Sequence, residues 1–123
     1  MKHKEFTTVL TSEDLIDVKL AWEDKDLQRF AINYRAYIGD EWYEVYRVDN
    51  YHGFLHEQKF WRSPEPIIIK DKDGWSLKMI FEHYLEEVHY NFQDYRSYFE
   101  AALNENKIKG KDENEKKNSK NET

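Results

Sequence analysis

The chain has 123 residues, with 19 Lys and Arg against 25 Asp and Glu and a net charge of −6. That length fits one domain, the acidic balance lacks the basic footprint of a duplex-binding protein, and the absence of Cys excludes a disulfide scaffold, a thiol nucleophile and a thiolate zinc site. No apolar run approaches the ~18 residues of a membrane span, and Met1-Lys2-His3-Lys4-Glu5 leads into no signal-peptide core, so a cytoplasmic protein is expected.

Residues 5–15 carry no decisive pattern; Thr11-Ser12-Glu13-Asp14 reads as a turn or a helix start. Asp17 to Trp22 alternates as a strand does. Phe30, Ile32, Tyr34, Ala36 and Ile38 then recur at period two, the clearest strand signal in the chain. Gly39-Asp40 suits a two-residue hairpin loop, with Trp42 to Val48 as the returning strand. Asn50-Tyr51-His52-Gly53 is a second turn and Phe54 to Trp61 a further strand, ended by Ser63-Pro64-Glu65-Pro66 because Pro cannot donate to a ladder. Ile67-Ile68-Ile69 adds a short edge strand.

From Leu77 to about Leu103 apolar residues recur at three- and four-residue steps, with Ser76 as N-cap. Such a helix spans roughly 40 Å, longer than a small sheet needs. Its aromatic end (Tyr95, Tyr98 and Phe99) points to a homodimer formed through the helix. The expected fold is α+β: an antiparallel meander of four or five strands with one long C-terminal helix packed across a face. Four Trp, nine Tyr and seven Phe supply its core. Residues 1–104 carry 13 Lys and Arg against 20 Asp and Glu, a balance of −7, and form this domain. Residues 105–123 carry a balance of +1 and a single aliphatic side chain, and are expected to be a disordered charged tail.

Register arithmetic singles out a candidate site. With Gly39-Asp40 as the loop, Ile38 faces Glu41, Ala36 faces Tyr43, Tyr34 faces Val45 and Ile32 faces Arg47, while Arg35 faces Glu44 on the other side. A four-residue loop at 50–53 then sets Arg47 opposite His56 and Val45 opposite Gln58. Arg47, Asp49, His56 and Gln58 thereby share a mostly apolar face with Ile32, Tyr34, Val45 and Phe60. Polar groups on a core face break binary patterning, and such breaks concentrate at functional sites. His52, in the turn, can lean over the same end.

Three readings of this group stand side by side. Arg47–Asp49 can be a structural ion pair beside a satisfied His56. The set can instead hold a transition metal. Or Arg47, Asp49, His52 and His56 can be catalytic, the His pair moving protons and Arg47 stabilising charge on a phosphate, with Tyr34 and Gln58 as substrate contacts. On that last reading the site is metal-free. No glycine-rich phosphate loop, G-x-S-x-G motif or EF-hand spacing occurs, so no cofactor is expected. His83, Glu86, Glu87 and His89 read as a charged helix flank.

The stretch Arg47-Val48-Asp49-Asn50-Tyr51-His52-Gly53-Phe54-Leu55-His56, followed by one long helix, resembles the TumE-like toxins of prokaryotic toxin–antitoxin modules and similar small archaeal proteins, over roughly residues 28–90. The resemblance implies a growth-inhibiting protein acting on RNA and held by a cognate helix-turn-helix antitoxin. It carries Asp49, His52 and His56 over as site residues. Val48 departs from the Tyr usual in those toxins, and Glu57-Gln58 follows His56 where they carry a second His. The competing reading is a non-catalytic homodimeric interaction module.

Overall fold

The computed structural model describes residues 1–105. Six strands, β1 (Lys2–Thr11), β2 (Asp14–Glu23), β3 (Asp26–Ile38), β4 (Glu41–Asp49), β5 (His56–Lys59) and β6 (Ile67–Ile68), form one antiparallel sheet in chain order, followed by helix α1 (Leu77–Asn104). The fold is therefore α+β, with one strand more than the four or five expected. The addition is β1. It is an edge strand in which Phe6, Thr8 and Leu10 turn partly inward while every other residue is exposed, so its sequence carries little hydrophobic signal. Thr11 to Asp14 is the turn between β1 and β2: the Thr11 hydroxyl donates to the Asp14 carboxylate and accepts from the Glu13 N–H. The strand expected over 54–61 is confined to β5. The expected tail lies outside the described residues apart from Glu105, whose N–H donates to Ala101 O at the helix C-terminus. Among the described residues no helix is long and apolar enough to cross a membrane.

Ser76 caps α1 as expected, its Oγ accepting from the Met79 N–H. The length of α1 follows from β3. Phe81 packs on Phe30, Phe92 on Tyr34, and Phe99 on Tyr43, which pairs with Ala36. The helix thus runs alongside β3 in the same direction. Thirteen strand residues span roughly 43 Å and 28 helical residues roughly 42 Å, so the two match. Ile16, Val18, Phe30, Ile32, Val45, Val48 and Val88 fill the layer between them, each buried; complete burial stabilises such a side chain by about 1.5–3 kcal/mol. Phe99 is buried in this layer and Tyr95 lies against Tyr46 and Trp61, so the aromatic end that pointed to a dimer is largely used within the protomer.

The β3–β4 hairpin begins in the expected register, with Gly39 at a φ of 59° supplying the turn. Ile38, Tyr37, Ala36 and Arg35 pair with Glu41, Trp42, Tyr43 and Glu44. There the expected register ends. Tyr34 pairs with Tyr46 and Ile32 with Val48, because Val45 forms a β-bulge and stays fully buried beside Tyr46. One extra residue reverses the facing of everything after it. Arg47 and Asp49 therefore leave the helix-covered face and point to the opposite, open face of the sheet.

Candidate functional site on the open face

The loop after β4 spans six residues rather than four, so Asp49 pairs with His56 and Arg47 with Gln58. Both corrections preserve parity between β4 and β5. Arg47, Asp49, His56 and Gln58 still share a face, but its other members are Lys19, Ala31 and Asn33 instead of Ile32 and Tyr34. Lys19, Ala31, Asp49 and His56 make one row across the sheet; Asp17, Asn33, Arg47 and Gln58 make the next.

Asp49 is the hub. Its carboxylate is almost fully buried and accepts from Arg47 Nε at 2.6 Å and from the Tyr51 N–H at 2.9 Å. His56 Nε2 stands 3.4 Å from the same Asp49 Oδ2 that Arg47 bonds, and its Nδ1 lies 3.3 Å from the Phe54 carbonyl oxygen. The buried His56 ring thus has both nitrogens facing protein oxygens. The exposed His52 ring stacks on it with centroids 5.8 Å apart, and Phe54 packs 5.3 Å away. His52 is consequently the imidazole of this cluster open to a ligand, while Asp49 and His56 form its support.

Asn50 fixes the loop and was legible in sequence only as a turn residue. Its Oδ1 accepts from the Phe30 N–H, its Nδ2 donates to Gln28 O and its own N–H donates to Phe30 O. Asn50→Ala leaves the Phe30 N–H without a partner and is expected to lower stability by about 1–3 kcal/mol in urea titration. An unchanged midpoint would show that water replaces the side chain.

Two sequence-derived substrate contacts fare differently. Gln58 lies beside Arg47, but its Nε2 donates to Pro64 O at 2.9 Å and so braces the loop after β5. Tyr34 is not at this site. The bulge leaves it on the helix-covered face, fully buried, with its hydroxyl donating to Asp14; burial first, and the Asp14 carboxylate second, push the phenol far above its ordinary value of 10.

Sequence reasoning missed the groups next to Arg47. A concavity of about 360 Å³ opens beside it, floored by Ala31 and walled by Thr7, Asp17, Lys19 and Asn33. Asn33 Oδ1 is buried there without a hydrogen-bond partner. Asp17 is held by Arg35 Nε at 2.7 Å and by the Thr7 hydroxyl at 2.6 Å. Its desolvation is outweighed by these bonds, which keep its carboxyl below the ordinary 3.8. Alternation of polar residues on β2 and β3 was the available signal, but it reads as an ordinary solvated face until the bulge brings Arg47 onto it. Among the described residues no group of three His, Asp or Glu side chains is arranged to hold a metal ion. His83 and Glu87 make only an i,i+4 contact at 3.8 Å on the helix surface.

The fold and the cluster define a single-sheet α+β protein with a helix on one face and an Arg–Asp–His group on the other. The chain belongs to the family described as a domain of unknown function (DUF7718), whose model matches residues 1–105. No curated protein and no solved structure matches it.

Proposed function

We propose that the protein is a small metal-independent ribonuclease of the toxin type, acting on single-stranded RNA at the open face. The observation that supports this most is the buried Asp49 carboxylate, which holds Arg47 through Nε and leaves both Nη groups to meet a phosphate. His52, stacked on His56, is the exposed proton-transfer group beside it. Asp49 and His56 are positioning residues. In the reaction the ribose 2′-oxygen loses its proton to His52 and bonds to phosphorus. The bond from phosphorus to the 5′-oxygen breaks, and that oxygen takes up a proton from a solvent water. A 2′,3′-cyclic phosphate and a 5′-hydroxyl result, and Arg47 stabilises the charge that gathers on the phosphoryl oxygens.

The acidic body does not oppose this reading, since Glu5 and Asp17 near the site are paired with Lys19 and Arg35 and local charge governs a cleft. A helix-turn-helix antitoxin is the partner this reading calls for. His52→Ala is expected to fold as the parent does and to cut single-stranded RNA at least about 100-fold more slowly. Equal rates would remove His52 from the reaction.

A further inference from the structure

A second concavity lies on the helix side of β5. Its volume is about 520 Å³, and its wall is a run of aromatic rings. Trp61 stacks on Tyr95 with centroids 5.1 Å apart and planes 26° from parallel; Tyr98 follows at 5.6 Å from Trp61. Tyr95 in turn lies 5.0 Å from the buried Tyr46, whose hydroxyl donates to Glu57, so the run is anchored in the core. Its outer member, Tyr98, is 52% exposed, while Phe99 beside it on the helix is buried. Lys59 and Arg62 flank the rings. The turn that carries Arg62 is closed by its own N–H donating to Lys59 O at 2.9 Å.

The aromatic wall separates this groove from its counterparts. The concavity beside Arg47 balances Lys19 and Arg47 against Glu5 and Asp17, and another at the helix N-terminus balances Lys25 and Lys78 against Asp26 and Glu82. Here Lys59 is paired with Glu57 at 3.7 Å, and the exposed Arg62 is the cation at the rim beside Glu105. Stacked rings beside cations suit unpaired bases and their phosphates: every base has a π-face, and the groove places a positive charge where the backbone passes. His56 and Lys59 open and close β5, so their backbones are roughly 10 Å apart, but they face opposite sides of the sheet and a strand reaching both passes around its β5–β6 edge.

We infer that the Trp61–Tyr98 groove stacks a base of single-stranded RNA while Arg62 meets the adjoining phosphate, which makes it a second contact for the substrate class proposed above. The inference rests on that reading for its ligand but is tested by binding alone.

The test is an anisotropy titration with a labelled 2′-O-methyl single-stranded RNA decamer, which the reaction above cannot cut. The parent is expected to bind. Tyr98→Ala is expected to weaken binding about 5- to 100-fold, and Arg62→Glu to weaken it and flatten its salt dependence. Both residues are exposed, so both variants are expected to retain the parent's circular dichroism. Binding that neither substitution alters overturns the groove and leaves cleavage to its own assay. No binding by the parent overturns the groove as well. A parent that is dimeric by light scattering, and monomeric as Tyr98→Ala, assigns the rings to a second copy of the chain and overturns the inference.

Discussion

Arg96→Met is expected to lower the free energy of unfolding by about 3–5 kcal/mol. Arg96 leaves α1 to clamp the far end of the β2–β3 region. Its guanidinium donates to Asp14 Oδ1 at 3.1 Å, to the Glu13 carboxylate at 3.0 Å, to the Tyr37 carbonyl at 2.8 Å and to Glu100 at 2.8 Å. Met keeps the apolar stem but strands Asp14, a buried carboxylate left with only the Thr11 and Tyr34 hydroxyls. Urea titration measures the effect; a loss below about 1 kcal/mol would make the cluster an ordinary surface ion pair.

The same cluster sets an acid limit. Burial pushes the Asp14 carboxyl up, but hydrogen bonds from Thr11, Tyr34 and Arg96 more than offset it and hold the group below its ordinary 3.8. A carboxyl depressed in the folded state stabilises above its unfolded value and loses that contribution as pH falls through the folded one. Stability is therefore expected to decline below about pH 4, and the decline to be shallower in Arg96→Met. Identical acid profiles would detach Asp14 from the clamp.

Asp49→Asn is expected to slow RNA cleavage at least about 100-fold, with a stability loss of about 1.5–3 kcal/mol that leaves the protein folded at 25 °C. The substitution preserves shape. Asn Oδ1 can still accept from the Tyr51 N–H, but the charge that holds Arg47 Nε and faces His56 Nε2 is gone. Arg47 then has no fixed orientation toward a phosphate, and the His56 ring under His52 loses its partner. Rates equal to the parent's, in a protein with the expected loss of stability, would reduce Asp49 to a structural role.

Much of the fold was legible because its signals are local. Period-two alternation over Phe30 to Ile38, Gly39 in the turn and Ser76 before the stripe from Leu77 each specify an element without reference to the rest. What escaped was set by tertiary context. β1 is an edge strand and needs few apolar residues. The Val45 bulge adds one residue to β4 with no turn chemistry to announce it, and it alone decides which face Arg47 and Asp49 take. The grouping of Arg47, Asp49, His52 and His56 survived because β4 and β5 moved together; Tyr34 did not, because it precedes the bulge. Arg96 was not singled out in the sequence, because only the position of Asp14 gives it meaning.

The central claim is metal-free cleavage through the ribose 2′-oxygen at the Arg47–Asp49–His52–His56 cluster. One measurement meets it directly: incubation of the protein in EDTA with a single-stranded RNA oligonucleotide and its all-deoxy counterpart, followed by analysis of the product ends. The account predicts that the RNA alone is cut, to a 2′,3′-cyclic phosphate and a 5′-hydroxyl. RNA left intact by the folded protein, cleavage of both strands, or products ending in 5′-phosphate would contradict it.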